Sequence, residues 1–357
     1  MKEVDVAERA ESALRACFDR VPDMSFRSVT REVRVSSGAC ADLVADVVVR
    51  GQPQTFLVEL KSSGEPRVAR AAIAQLDALR RSSRFADAYA VFIAPYISDR
   101  TSEILRDAGI GYVDLAGNCL LSLGDVYVER SASKNPFKDT RSRASVFAPK
   151  SSRVLRVLLE EPDREWQVQE IAEAASISIG LASRMKTALL DREWLTVEST
   201  GVRLIDPEAI LRAWAENYDY KINEVRSYYS LEEPAQTEER ITAYCQEEGI
   251  GYSFSGFSGA RLRSPRVRYS RVTAYVESSW DRVAQSVGLK EVDSGPNTLL
   301  LKPYDDGVFY GSETLYGAQV ASSVQLYLDL SSMTGRGEEA AEEILRKELL
   351  PKWHRAD

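Results

Sequence analysis

The chain has 357 residues, 44 % of them hydrophobic and 28 % charged, with a formal net charge of −8. That is material for two or three domain cores, and the acidic balance disfavours indiscriminate binding to nucleic acid. A single histidine, His354, leaves Ser-His-Asp, Cys-His and histidine-metal chemistries almost nothing to work with, and four scattered cysteines without a CxxC pair argue against a thiolate zinc site and a disulfide framework.

The segment Met1 to Glu8 is charged and lacks an apolar signal core, and no apolar run approaches the ~20 residues that span a bilayer, so a cytoplasmic protein without a membrane partner is expected. Residues 4–19 carry helical apolar spacing. Two Val-rich runs follow, Asp42 to Val49 and Thr55 to Lys61, interrupted by Arg50-Gly-Gln-Pro-Gln54, and read as an antiparallel hairpin. Alternation turns Glu59 and Lys61 to the same side, and Asp46, or Asp42 on its face, can lie across from them. Two carboxylates and an ammonium at a strand edge suit a metal-dependent phosphodiesterase. The carboxylates hold a hard divalent cation, and the lysine orients a water or offsets phosphate charge.

This stretch resembles the core motif of the PD-(D/E)XK, or restriction-endonuclease-like, nuclease superfamily. The resemblance implies Asp46, Glu59 and Lys61 as catalytic residues, with Asp46 and Glu59 binding Mg²⁺. It implies an acidic residue on the preceding helix, for which Glu8 and Glu11 are candidates, and an assisting glutamine on the following one, where Gln75 stands. Ala45 replaces the proline of the nominal motif. The other reading is a solvated hairpin whose charges line its polar face.

A helix over 67–81, a strand over 89–95, a helix over 99–108 capped by Ser98, a strand and Gly-rich turn over 109–118, and strands near 119–123 and 126–129 complete an α/β domain with a mixed sheet, residues 1–130. Asp114-Leu-Ala-Gly-Asn118 reads either as a polar site or as a turn using Gly117 and Asn118 for positive φ.

Residues 131–147 form a linker, and from Lys134 to Arg156 stand Lys134, Lys138, Arg141, Arg143, Lys150, Arg153 and Arg156, opposed only by Asp139. Residues 148–206 then read as three helices and a two-stranded wing, a winged helix-turn-helix. With Leu181, Ala182, Met185, Leu189 and Leu190 facing a core, Ser178, Ser183, Arg184, Lys186 and Thr187 of the third helix are left for double-stranded DNA. Arg203 of the wing and Lys150 and Arg153 of the lead-in join them. Residues 207–357 read as an α+β domain. Its Tyr-rich stretch from Tyr218 to Tyr229 is assigned to packing, and Arg261, Arg263, Arg266, Arg268 and Arg271 make an acid-free cluster that suits nucleic acid or an acidic partner. Ser253 to Gly259 faintly resembles the Gly-Ser turn of nucleotidyltransferases. No paired aspartates follow to hold magnesium, so such a domain is expected to be catalytically empty.

Gly111 to Asn118, the segment 148–206, Ser322 to Leu330 and Gly335 to Ala341 together resemble the AbiEi-type antitoxins of type IV toxin–antitoxin systems. That resemblance implies a transcriptional regulator that represses its own operon through the winged helix and counters a nucleotidyltransferase toxin without a stable complex. The nuclease-like domain in front departs from the short antitoxins, so a Mg²⁺-dependent DNA nuclease served by the winged helix is the competing expectation. The oligomeric state is left open.

Overall fold

The computed structural model describes residues 3–18, 24–35, 38–131, 146–263 and 269–354. The chain forms two compact units, one up to Thr140 and the other, apart from the short segment Leu190–Glu193, from Arg141 onward.

In the first unit the order is α1 (Glu3–Phe18), β1 (Met24–Arg34), β2 (Cys40–Val49), β3 (Gln52–Leu60), α2 (Pro66–Arg80), β4 (Tyr89–Ala94), α3 (Asp99–Asp107), β5 (Gly111–Asp114), β6 (Cys119–Leu123) and β7 (Val126–Arg130). The seven strands lie side by side in chain order: β1 to β3 antiparallel, β3 to β5 parallel through helical crossovers, and β5 to β7 antiparallel again. One face packs Val6, Ala10 and Leu14 of α1 against Val47, Phe56, Val58 and Ile93. The other packs Ala69, Leu76 and Leu105 of α2 and α3 against Leu57, Ala90 and Phe92. A sheet covered on both faces needs near-continuous apolar strands, which β3 and β4 supply.

The β2–β3 turn is tighter than the sequence suggested. Arg50 and Gly51 alone make it, both at positive φ (49° and 79°), the mark of a type I′ turn whose twist matches the strands. Pro53 stands inside β3, opposite Val48, at the end of the strand where β4 has not yet begun to pair, so its missing N–H leaves no acceptor unmet on that side. Strand β1 was not anticipated. It is an edge strand whose alternation is masked by Arg27, Arg31 and Arg34, all exposed. At the Asp114 turn the structural reading holds. The buried carboxylate accepts from the backbone N–H groups of Ile97, Ala116 and Asn118 and from the Asn118 amide (2.7–3.0 Å), and Gly117 alone takes positive φ.

The second unit opens with α4 (Pro149–Glu160), α5 (Val168–Ala174), α6 (Ile179–Asp191) and the hairpin β8 (Leu195–Val197) and β9 (Val202–Leu204). Trp166 extends this hairpin by exchanging backbone hydrogen bonds with Val202. A Cβ on Gly201 would stand 2.4 Å from the Trp166 carbonyl oxygen, so only glycine permits that approach. After α7 (Pro207–Ala215) come β10 (Glu224–Tyr229), α8 (Pro234–Glu247), β11 (Tyr252–Phe254), α9 (Gly256–Arg263), β12 (Val272–Val276), α10 (Trp280–Val287), β13 (Lys290–Glu291), β14 (Thr298–Lys302), β15 (Glu313–Leu315), β16 (Ala318–Val320), α11 (Ser323–Ser331), α12 (Gly337–Ile344) and α13 (Leu350–Trp353). Their mixed sheet has the order β13-β10-β14-β12-β11-β16-β15.

The centre of this unit is polar. Asp329 of α11 is fully buried and accepts from the hydroxyls of Ser255, Tyr218 and Tyr275 and from the Gln325 amide. Burial pushes its carboxyl up from the ordinary aspartate range, against the pull of those donors. Gln325 in turn accepts from the guanidinium of Arg156 on α4, which also donates to Ser152 and Tyr304 and stacks 4.7 Å over Trp214. Tyr218 thus packs, as the Tyr-rich stretch was expected to do. Removing one partner of a buried network strands the others. We therefore expect Asp329→Ala to destabilise the second unit by about 3 kcal/mol, and Asp329→Asn by less. Urea unfolding followed by tryptophan fluorescence measures this, and an alanine variant unfolding at the wild-type midpoint would contradict it.

Candidate functional site

In the first unit, the register of the hairpin decides which acid meets the Glu59 pair. Leu43 stands opposite Val58 and Asp46 opposite Thr55. Asp46 is therefore four residues, ~13 Å of strand, from Glu59. Its exposed carboxylate accepts instead from Ser28 Oγ (2.7 Å) and Thr55 Oγ1 (3.2 Å). The assignment of Asp46 to the catalytic and metal set is corrected on that ground: alternation placed it on the right face, and register places it too far along. Asp42 takes the position, its Oδ2 accepting from the backbone N–H of Leu60 at 2.7 Å.

Glu59 is 2 % exposed, and one of its oxygens, Oε1, is bonded to Nζ of the partly exposed Lys61. The other, Oε2, is buried with no hydrogen-bond partner. Burial raises the Glu59 carboxyl above the ordinary glutamate range. The Lys61 contact opposes this, while the charges of Asp42 and of Glu3 on α1 reinforce it. On α1 the charge that bears on Glu59 is that of Glu3, at the helix start, while Glu8 and Glu11 were the acids expected from the sequence. Glu8 is exposed and Glu11 is paired with Arg15 at 2.9 Å. Gln75 is exposed on α2, with no hydrogen bond to the pair among the described residues.

Glu59 Oε2 is an orphaned, deeply buried carboxylate oxygen, and the Asp42 carboxylate is near enough for its charge to act on Glu59, so the two acids are oxygen donors of the kind a hard cation takes. Among the described residues no three His, Cys, Asp or Glu side chains converge closely enough to cage a metal. The fit is therefore to a cation such as Mg²⁺, which keeps much of its water and needs only one or two protein carboxylates.

In the second unit, helix α6 turns Ala182, Met185 and Leu189 inward. Ser178, Ile179, Gly180, Ser183, Arg184 and Thr187 are exposed and Lys186 half-buried. Arg184 and Lys186 form no ion pair among the described residues, and the helix has no acid before Asp191. The Ser178 hydroxyl accepts from the N–H of Leu181 (3.3 Å), so it caps the helix start, and Thr187 Oγ1 donates to the Ser183 carbonyl (3.2 Å). On the hairpin, Arg203 is paired with Glu198 at 2.9 Å.

The basic lead-in divides on inspection. Lys150 is exposed, as a phosphate contact requires. Arg153 grips Asp305 with two hydrogen bonds (2.7 and 3.0 Å), and Arg156 is 1 % exposed, so both brace the fold and neither is available to DNA. Lys134, Lys138, Arg141 and Arg143 lie outside the described residues, as do Arg266 and Arg268. The remaining arginines of the second cluster are not free of acids in space: Arg261 pairs with Glu238 and Arg263 with Glu313, while Arg271 lines a cleft of about 400 Å³ with Tyr269 and Arg336. Sequence reasoning missed Asp42 as the first choice and Glu3 altogether. Register was the signal for the former, and nothing local marks the latter.

Residues 203–350 match the model of a family described as transcriptional regulator, AbiEi antitoxin, type IV TA system. The resemblance of the C-terminal part to that family is thus borne out. Residues 111–118 and most of 148–206, which contributed to it, lie outside the match. A solved structure similar to part of the chain is the crystal structure of a repair endonuclease from Pyrococcus abyssi, 13 % identical, covering 29 % of this chain and 46 % of that one with a TM-score of 0.21. The chain spans less than half the length of that endonuclease. No curated protein matches. Among the described residues no helix is long and apolar enough to cross a membrane.

The raised carboxyl of Glu59 has a signed consequence. A group that holds its proton more tightly folded than unfolded favours the folded state when protonated, so stability falls as pH rises from the ordinary glutamate range through the folded value. Glu59→Gln removes that component. We expect the thermal midpoint of the variant to gain on wild type between about pH 4 and pH 8, read by calorimetry. Parallel curves would contradict a desolvated carboxyl.

Proposed function

We propose that this chain is a DNA-binding transcriptional regulator of the AbiEi antitoxin type, holding double-stranded DNA through a winged helix at residues 148–206. The observation that carries this reading is the outward face of α6, cationic and acid-free, followed by a two-stranded wing, in the same compact unit as the segment that matches a regulator family. Alpha-helices enter the major groove with such a face. Arg184 and Lys186 reach base edges or phosphates, Ser183 and Thr187 offer hydroxyls beside them, and Lys150 adds a phosphate contact. Ser178 serves by fixing the helix start, and Arg203 by shaping the wing through Glu198. The protein acts within a toxin–antitoxin system whose toxin is a nucleotidyltransferase. A C-terminal domain without paired aspartates after its Gly-Ser turn transfers no nucleotide itself; its Ser255 and Ser258 hydroxyls are spent on Asp329 and on the backbone N–H of Thr273.

Tested by gel shift on the DNA upstream of its own gene, the full chain should bind specifically and lose affinity as salt rises. Arg184→Ala should cost about 1–3 kcal/mol if it reads a base. Equal affinity of wild type for every sequence would sink the reading.

A second reading is supported by Glu59 Oε2, the buried oxygen without a partner. In it the first unit is a restriction-endonuclease-like domain that hydrolyses DNA. Glu59 and Asp42 hold Mg²⁺, and Lys61 neutralises charge on the scissile phosphate or orients water. Bound there, the cation would supply Lewis-acid polarisation of the phosphate. Purified protein should then nick plasmid with Mg²⁺ or Mn²⁺, and Glu59→Ala, Lys61→Ala and Asp42→Ala should abolish nicking while Asp46→Ala retains it. Intact plasmid under both metals, or undiminished cutting by the Glu59 variant, would end this reading.

A further inference from the structure

The outward face of α6 is polar with two exceptions. Projected at 100° per residue, Ile179, Ser183, Thr187, Gly180 and Arg184 share one continuous stripe, opposite Ala182, Met185 and Leu189. Ile179 is 57 % exposed on it, a β-branched apolar side chain with no core to join. Gly180 is the second residue of the helix and does not take positive φ. A Cβ there would meet nothing nearer than Nη1 of its neighbour Arg184, at 3.9 Å. Neither backbone strain nor close packing within the fold therefore calls for glycine, although glycine weakens a helix relative to alanine. Gly201, by contrast, is held to glycine by the Trp166 carbonyl.

A glycine the fold does not need, beside an isoleucine the core does not take, marks where something else comes close. The major groove offers one apolar group, the C5-methyl of thymine, next to the acceptors that suit an arginine. Resting on the DNA-binding reading of α6, we propose that Ile179 is a specificity-determining residue that seats against a thymine methyl group, and that Gly180 leaves room for the base edges to approach the helix while Arg184 reads the neighbouring step. The absence of acids on the stripe favours DNA over a basic partner.

The full chain is used to select duplexes from a random-sequence pool, and each thymine of the recovered site is then replaced in turn by deoxyuridine, which lacks only the methyl. One such replacement should weaken wild type about fourfold, the worth of one buried methyl group, and leave Ile179→Ala unaffected. Gly180→Ala should raise the thermal midpoint yet weaken binding to the selected duplex several-fold, which separates groove contact from damage to the fold. If a duplex is recovered but every deoxyuridine substitution affects wild type and Ile179→Ala alike, or Gly180→Ala binds as well as wild type, the inference is overturned and the regulator reading stands. If no duplex is enriched at all, the regulator reading fails with it.

Discussion

Asp329 is enclosed where no solvent reaches it, and a carboxylate in that position persists only if donors surround it. Here they come from several directions: Ser255 ahead of α9, Tyr218 beyond α7, Tyr275 from β12 and Gln325 from its own helix. Through Gln325 the network extends to Arg156, and so to α4, the first helix of the bundle that carries α6. Arg153, one turn away on α4, adds a second tie to Asp305. The bundle and the C-terminal sheet of this unit are thus joined by hydrogen bonds whose geometry is directional, and apolar contact alone would define their register less sharply.

The two candidate sites put charge to opposite uses. On α6 Arg184 is exposed and Lys186 half-buried, and neither is ion-paired among the described residues, so no internal ion pair would have to break before a polyanion is met. At Glu59 the charge is withdrawn from water and only half satisfied, an arrangement that costs stability unless something completes it. A surface of the first kind suits reversible, salt-dependent binding, and a buried pair of the second kind suits a tightly positioned ion.

Much of the first unit was legible in the sequence because its strands are short apolar runs separated by clear turns. The β2–β3 hairpin and the Ser98 cap are where the residues suggested. The Asp46 error has a physical origin: a period of two reports the face of a strand and says nothing of how far along it a residue lies. Strand β1 escaped because arginines stand where an amphipathic strand shows apolar residues. Arg153 and Arg156 misled for the converse reason, since a run of positive residues looks alike whether solvated or folded back onto Asp305 and Gln325. On α6 spacing identified Ala182, Met185 and Leu189 as inward, while Leu181 and Leu190, expected beside them, are only half-buried, as is Lys186, and the roles of Ser178 and Arg203 depended on partners that spacing does not reveal.

The strand order of the first unit bears on how the protein is made. Because β1 to β7 lie in the sheet in the order of synthesis, each strand can dock on its predecessor as it leaves the ribosome, with little loop-closure entropy at any step. The second sheet has no such luxury: β14 inserts between β10 and β12, and the sheet is finished only by β15 and β16, so its assembly waits for residues beyond 313. Domains emerging from the ribosome fold N-terminal first, and here the early unit can reach its native pairing while the later one is still being translated. A ribosome stalled late in this message would therefore display a folded α/β unit ahead of an unfinished second sheet.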